Sequence, residues 1–281
     1  MGRVEDALVR DGDDSSISAN GAETYTLLRD SRASTRLTAQ HGLWKELLGF
    51  LLHPDVPTSG ENLKIADVCT GNGVWLLDLA RRIRTPCEFH GFDISMDQVG
   101  PKPWQPANVH MHNLDVFKDP PLEFQGIFDI VHIRLIGIVV TNNDPRPVLA
   151  SLTKLLKPGG YLQWDEVDTI SWKVETVPGV SGKSLHALYS QMRELDTSWK
   201  YDLARIIGES GYSDTSFHTY PYGLDLARIW SDIYVSTWRE FADKRLKTPE
   251  ASDQLELKAM EEVRQGAALM VPLLMWVARK T

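Results

Sequence analysis

Residues 63–76 read LKIADVCTGNGVWL: a short apolar run ending in an aspartate, a glycine-rich turn, and the start of an apolar helix. The run LKIADVC suits a buried strand, and VWLLDLARRI suits an amphipathic helix. Between them, Gly71 and Gly73 permit backbone angles closed to other residues and let a ligand approach the main chain. A helix opening after Gly73 offers unpaired N–H groups and a positive dipole end. In a parallel sheet this turn lies at the carboxyl end of the first strand, where such folds bind their ligands.

The alternation continues downstream. EFHGFDI, NVHMHNLDV and FDIVHIRLI read as a second, third and fourth strand, and YLQWDEVD as a fifth. PRPVLASLTKLLKPGG reads as a helix with Leu149, Leu152, Leu155 and Leu156 on one face, stopped by Pro158 and a glycine pair. Strands alternating with helices imply a mostly parallel sheet with right-handed crossovers. After Asp168 the pattern turns to long helices, with Leu185, Leu188, Met192, Leu195 and Trp199 at steps of three and four. Trp230, Ile233, Thr237 and Phe241 repeat that spacing, while SFHTYPY and LLMWVARK suit a sixth and a seventh strand.

Upstream, apolar residues recur at helical spacing from Tyr25 to Leu52, predicting a helix that ends before His53–Pro54. Residues 1–20 are acidic and read as a frayed or disordered tail. The expected fold is α/β, a Rossmann-like seven-stranded, mostly parallel sheet flanked by helices, with residues 21–58 as an N-terminal helical cap. Residues 59–281 form the main domain, whose C-terminal helical insertions within 181–266 act as a lid.

Composition narrows the function. A chain of 281 residues that is 42% hydrophobic can bury a full core, and its net charge of −8 disfavours nucleic acid as a partner. Two cysteines, Cys69 and Cys87, are too few for a disulfide scaffold or a Cys-rich zinc site. His110 and His112 alternate along a strand with no carboxylate or cysteine triad, so no metal is expected. The N-terminal GRVEDALVRDGDDSS lacks the apolar core of a secretory signal, and ALMVPLLMWVA is too short to span a bilayer. A cytoplasmic location away from membranes is the expectation.

The glycine turn gains meaning from the next two strand ends. The second strand ends in Gly91-Phe92-Asp93-Ile94, and an acidic side chain there can accept both hydrogen bonds of a ribose diol. The third ends in Asn113-Leu114-Asp115-Val116, setting polar and apolar residues where an adenine would sit. Leu76 occupies the place of the third glycine of a dinucleotide fingerprint, disfavouring a pyrophosphate, and no Lys-Ser or Lys-Thr follows at P-loop spacing.

Taken in order, the D-x-C-x-G-x-G turn, GFD, NLDV, FDIVHIR and LLKPGGYLQW resemble the motifs of class I S-adenosylmethionine-dependent methyltransferases. Tyr25 followed by RLTAQHGLW and DVCTGNGVWLLDLA is similar to fungal secondary-metabolism methyltransferases of the gliotoxin thiomethyltransferase and LaeA-like group. The resemblance implies S-adenosyl-L-methionine as cofactor. It places Asp67, Cys69, Gly71 and Gly73 on the methionine part and Asp93 on the ribose. Ile94, Asn113, Asp115 and Val116 fall on the adenine, and His132 near the sulfonium. Tyr25, Arg36 and His41 belong to the segment that the resemblance folds over the cofactor. Cys69 stands where the family has its first glycine.

The reaction implied is methyl transfer to an O, N or S atom of a small-molecule secondary metabolite, with a cofactor-binding cyclase or rearrangement catalyst, or a LaeA-like regulator, as alternatives. A phenol or alcohol acceptor needs a base. The catalytic candidates are His132, His41 and the adjacent Asp165 and Glu166, while His186 and His218 suit structural positions. Trp164, Trp172, Trp199, Tyr222, Trp230, Tyr234 and Trp238 are candidates to line a pocket for an apolar or aromatic acceptor, most of them as core.

Overall fold

The computed structural model describes residues 27, 29–191, 196–245 and 249–281. The acidic tail and Tyr25 lie outside them. Helix α1 (Ser31–Leu48) opens at Asp30, whose carboxylate accepts from the Ala33 N–H at 2.9 Å. It closes at Gly49, which takes a left-handed φ of 74° and donates to the Lys45 carbonyl. A glycine C-cap therefore stops the helix before Pro54 is reached. Leu51 and Leu52 lie beyond the helix and pack under the sheet.

The next elements follow the expected order: β1 (Leu63–Val68), α2 (Val74–Arg82), β2 (Cys87–Asp93), β3 (Val109–Asn113), β4 (Phe128–Arg134), α3 (Arg146–Leu155) and β5 (Leu156–Val167). Two ends differ from the sequence reading. The third strand stops at Asn113, which leaves Leu114, Asp115 and Val116 in the loop beyond the sheet. Helix α3 stops at Leu155, and Leu156 turns extended to pair with Phe128. The N–H groups of Gly126 and Ile127 take the Lys154 and Leu155 carbonyls, so the last turn is satisfied without Pro158. All four leucines are buried regardless.

The C-terminal part contains β6 (Lys173–Thr176), α4 (Lys183–Ser190), α5 (Trp199–Glu209), β7 (Tyr212–Tyr220), α6 (Leu224–Arg245), α7 (Pro249–Gln265), β8 (Ala267–Met270) and β9 (Leu273–Lys280). The helical spacing from Leu185 to Trp199 spans two helices, and Met192 and Leu195 fall outside the described residues. The β6–β8 ribbon was not anticipated, since four-residue strands are too short to show a period.

The main sheet has seven strands in the order β3-β2-β1-β4-β5-β9-β7. The first five are mutually parallel, and β9 runs antiparallel between β5 and β7. The chain order reverses between β1 and β4, which opens a crevice at their carboxyl ends. Register sets Gly91, Asp67, His132 and Gln163 side by side across β2, β1, β4 and β5. Side chains alternate along a strand, so Asp165 shares that face while Glu166 points to the other. The face of Glu166 packs Val68, Ile133, Trp164 and Trp276 against α3 and α5. The opposite face packs Ile65, Ile130 and Val277 against α2 and the residues after α1. A third apolar cluster joins α1, α4, α6, α7 and β8.

Tyr222 and Ser231 fasten that third cluster. The buried Tyr222 hydroxyl donates to the Leu269 carbonyl at 2.7 Å and accepts from the Val271 N–H at 2.9 Å. Ser231 Oγ donates to Ala227 and accepts from the Leu269 N–H at 2.8 Å. Removing the Tyr222 hydroxyl leaves two buried backbone groups unpaired, so Tyr222→Phe should cost about 2 kcal/mol in urea unfolding. A loss under about 0.5 kcal/mol would show that water replaces the hydroxyl.

Candidate functional site

The turn after β1 is held from below. Thr70 N donates to the Phe92 carbonyl, and Thr70 Oγ1 donates to Asp67 Oδ2 at 2.6 Å. Gly71 takes φ 60° and aims its N–H at Asp93 Oδ2, 2.8 Å away; Gly73 takes φ 75° and caps α2. Cys69 sits at φ 58° and Leu135, just after β4, at φ 59°. Side chains with a Cβ are strained there, and the two flank the crevice at the point where strand order reverses. Burial, reinforced by the Asp93 and Asp67 carboxylates, pushes the Cys69 thiol well above its ordinary pKa. It remains an unreactive thiol.

Beneath the turn lies a buried charge row. His132 Nδ1 is 2.7 Å from Asp67 Oδ1, and Nε2 is 3.1 Å from Asp165 Oδ2. Burial pulls the imidazole pKa down, but the hydrogen bonds to Asp165 and Asp67 outweigh it and hold the pKa above the ordinary value. A ring donating to a carboxylate from each nitrogen is an imidazolium. Trp75 stacks flat on it, centroids 3.7 Å apart and planes 4° from parallel. Gln163 donates to Asp165 Oδ2 at 3.2 Å and to the Leu51 carbonyl at 3.0 Å, and accepts from the His53 N–H at 2.8 Å. Arg134 stands over the Trp44 ring at 5.4 Å, with Asp165 and Asp67 as its electrostatic partners.

Trp75, His132, Arg134 and the turn after β1 border a cavity of about 740 Å³. Of the residues the sequence singled out, Arg36, Asp67, Cys69, Gly71, Asp93, Ile94, Asp115, Val116, His132 and Glu166 lie in its wall. Gly73, Asn113, His41 and Asp165 do not. Asn113 donates to the Ile94 carbonyl at 3.3 Å, and Asp165 lies behind His132. His41 pairs with Asp78 at 3.0 Å, beside Lys45, and burial lowers its pKa to about 4. Tyr25 is outside the described residues.

One end of the cavity is suited to a nucleoside. Asp93 accepts from the Gly71 and Ser95 N–H groups, and burial raises its pKa against those bonds. Two bonds leave acceptor capacity on the carboxylate for a diol. Ile94 and Phe117, in the wall beside it, keep 38% and 40% of their surface exposed. Asp115 lies between them in the wall and accepts from the Phe117 N–H at 3.1 Å.

The other end holds Glu166 and Lys200. Glu166 Oε1 accepts from the Ile136 N–H at 2.9 Å, and Oε2 faces Lys200 Nζ at 3.4 Å. Both side chains are buried, and burial raises the Glu166 pKa against the pull of Lys200. Strand alternation sends Asp165 and Glu166 to opposite faces, the first to His132 and the second to Lys200. Lys200 and Trp75 were not singled out from sequence. Lys200 was legible, since it stands three residues before Leu203 and seven before Ile207, on the apolar face of α5. Of the seven aromatic candidates, Tyr234 lines the cavity; the other six are buried elsewhere. His53, Asp55 and His218 bring possible metal-ligand atoms within 4.8 Å of one another, but the two rings stack at 4.3 Å and the Asp55 N–H already occupies His53 Nδ1.

A methyltransferase domain model matches residues 59–222. The methyltransferase grgD of Penicillium sp is 31% identical over 178 residues, covering 60% of this chain and 61% of that protein. The N-methyltransferases verN of Clonostachys rogersoniana and gliN of Aspergillus fumigatus are 31% and 32% identical, each over about half of both chains. The chain therefore spans only about half to three-fifths of these relatives' lengths. A crystal structure of the cyclase SpnF shares the fold, with a TM-score of 0.53 at 16% identity over 89% of this chain and 82% of that one.

Two outcomes test the site's energetics. At the left-handed position 69, Cys69→Gly should be more stable than Cys69→Ala by about 1 kcal/mol, since both lose the thiol and only alanine keeps the strained Cβ. The reverse order in urea unfolding would remove the strain argument. Lys200→Met leaves Glu166 buried without its counter-charge and should destabilise by about 3 kcal/mol near pH 8. A carboxylate whose folded pKa is raised contributes stability below its unfolded pKa and loses it as pH rises. The deficit of Lys200→Met should therefore grow from pH 5 to pH 8; a deficit independent of pH would refute the pairing.

Proposed function

The chain belongs to the methyltransferase domain family, and on that premise we propose that it transfers a methyl group from S-adenosyl-L-methionine to a heteroatom of a small molecule. The observation that carries this is the anchored Asp93 carboxylate beside half-exposed Ile94, at one end of a cavity that continues to Glu166. The donor set suits the cofactor. Asp93 would accept the ribose hydroxyls, Ile94, Val116 and Phe117 would flank the adenine, and Asp115 would take its amino group. Asp67, Cys69 and Gly71 would border the methionine part.

When bound, S-adenosyl-L-methionine supplies a methyl carbon made electrophilic by its sulfonium. The protein then has to align the acceptor atom, exclude water and dispose of a proton. His132 is unsuited to removing that proton, because both of its nitrogens already donate to carboxylates. Its work is to hold Asp67 and Asp165 in place. Glu166 is the better base: it lies in the wall, burial raises its pKa against the pull of Lys200, and a raised pKa suits a carboxylate to take up a proton. Nitrogen is the favoured acceptor atom, since verN and gliN are both named N-methyltransferases.

Titration calorimetry with S-adenosylhomocysteine tests the premise. The wild-type protein should bind it, and Asp93→Ala should weaken binding at least about tenfold, the scale of a lost charge-assisted hydrogen bond. Unchanged binding in the variant would remove the assigned pocket. Incubation of small-molecule acceptors with methyl-labelled cofactor then separates transfer from cyclisation: a product without label refutes methyl transfer.

A further inference from the structure

Arg134, the last residue of β4, stands in the cavity wall with its hydrogen-bonding needs unmet. A guanidinium presents five N–H donors in one plane. Among the described residues, none of these donors reaches an acceptor and Arg134 forms no ion pair. None of its nitrogens is fully buried, so a molecule in the cavity can reach them. Trp44 covers a face of the group at 5.4 Å, which favours the charge but leaves the in-plane N–H edge open. Asp165 and Asp67 favour the charge from a distance, and each is already hydrogen-bonded to His132.

The other cations of the wall are committed. His132 lies between two aspartates, Lys200 faces Glu166 and donates to the Val167 carbonyl at 3.0 Å, and Arg29 and Arg36 have interactions of their own. Arg134 is therefore the cation of this wall left without a hydrogen-bond or ion-pair partner among the described residues. A guanidinium largely withdrawn from water is costly to leave unpaired. The fork it presents matches a carboxylate, which takes two parallel N–H bonds from it.

A second donor stands on α1. Gln40 is 8% exposed and lines the same cavity, one helical turn before Trp44 and so on the same side of the helix. Its carboxamide has no hydrogen-bond partner among the described residues, yet neither Oε1 nor Nε2 is fully buried. The strand register locates the pair. Val68 is abreast of Ile133, so Cys69 and Arg134 come next on neighbouring strands, and Arg134 is abreast of Asp165 on its other side. Arg134 thus stands between the glycine turn and the Glu166 end of the cavity.

We propose that Arg134 and Gln40 form a carboxylate-binding subsite, in which the guanidinium takes both oxygens and Gln40 Nε2 donates to one of them. The inference rests on the methyl-transfer reading above. Two carboxylates suit its place: the α-carboxylate of the cofactor, arriving from the glycine turn, and a carboxylate on the acceptor, arriving from the Glu166 end.

Calorimetry on the full chain compares S-adenosylhomocysteine with its decarboxylated analogue, S-adenosyl-3-thiopropylamine. Ligand-observed NMR on protein loaded with S-adenosylhomocysteine compares 2-naphthoate with 2-acetylnaphthalene, a neutral probe of the same shape. In at least one pair the carboxylate should bind about tenfold more tightly than its partner, the scale of a charge-assisted hydrogen bond. Arg134→Gln should close that gap while the carboxylate-free partner binds within about twofold of wild type, and Gln40→Met should narrow it about threefold. The gap that Arg134→Gln closes identifies the occupant: the cofactor for the first pair, the acceptor for the second. Should Arg134→Gln fail to fold, Arg134→Lys, which keeps the charge and loses the fork, replaces it and should narrow the gap. No gap in either pair, or a gap unchanged in the variant at either residue, overturns the proposal. Failure of wild-type protein to bind both S-adenosylhomocysteine and its analogue counts against the methyl-transfer reading instead, and the naphthalene pair on unloaded protein then decides the subsite.

Discussion

Two aspartates in the middle of a sheet need a positive charge between them, and His132 is that charge. Asp67 and Asp165 are 3% and 2% exposed, so neither carboxylate has water to stabilise it. Buried charges persist only when paired and hydrogen-bonded. The imidazolium bridges them at 2.7 and 3.1 Å, and its flat face is covered by Trp75. Once His132 is fixed, its neighbours follow. Asp67 receives the Thr70 hydroxyl and anchors the turn, and Asp165 receives Gln163, which reaches on to Leu51 and His53 behind α1. A single register, with Asp67, His132 and Gln163 abreast on three strands, thus connects the glycine turn to the N-terminal cap.

The same row accounts for the strained backbone beside it. Cys69 and Leu135 take left-handed φ values at the ends of the two strands that carry Asp67 and His132. Each chain must turn sharply to leave the crevice open while its strand stays in register. A residue held in a sparsely populated region persists only where its surroundings over-determine it. Here those surroundings are the Thr70-to-Phe92 bond on one side and the Leu135-to-Asp165 backbone bond on the other.

What was legible in the sequence divides along physical lines. Strands β1, β2, β4, β7 and β9 and helix α2 have apolar runs or periods long enough to announce themselves. The cavity-lining residues of the glycine turn sit within a few positions of one another. Local chemistry of that kind survives in one dimension. Helix ends were less legible, because Gly49 and the loop N–H groups of Gly126 and Ile127 decide them, and the second case is a contact distant in sequence. The pairing of Asp165 with Glu166 was misleading for a simpler reason. Adjacent residues in a strand face opposite ways, so one met His132 and the other met Lys200, 34 residues further on. The apolar spacing around Lys200 carried the clue, since a lysine on a buried helical stripe requires a buried anion.

The two halves of the cavity therefore differ in how they are made. The end that holds Asp93 and Asp115 is built from residues following consecutive strands, its carboxylates anchored by backbone N–H groups. The opposite end is assembled from α5, α6 and the segments after β4 and β5, elements far apart in the chain. Its shape depends on side-chain volumes, which are readily altered without disturbing the sheet. One end of the cavity is thus local in the chain, and the other is tertiary.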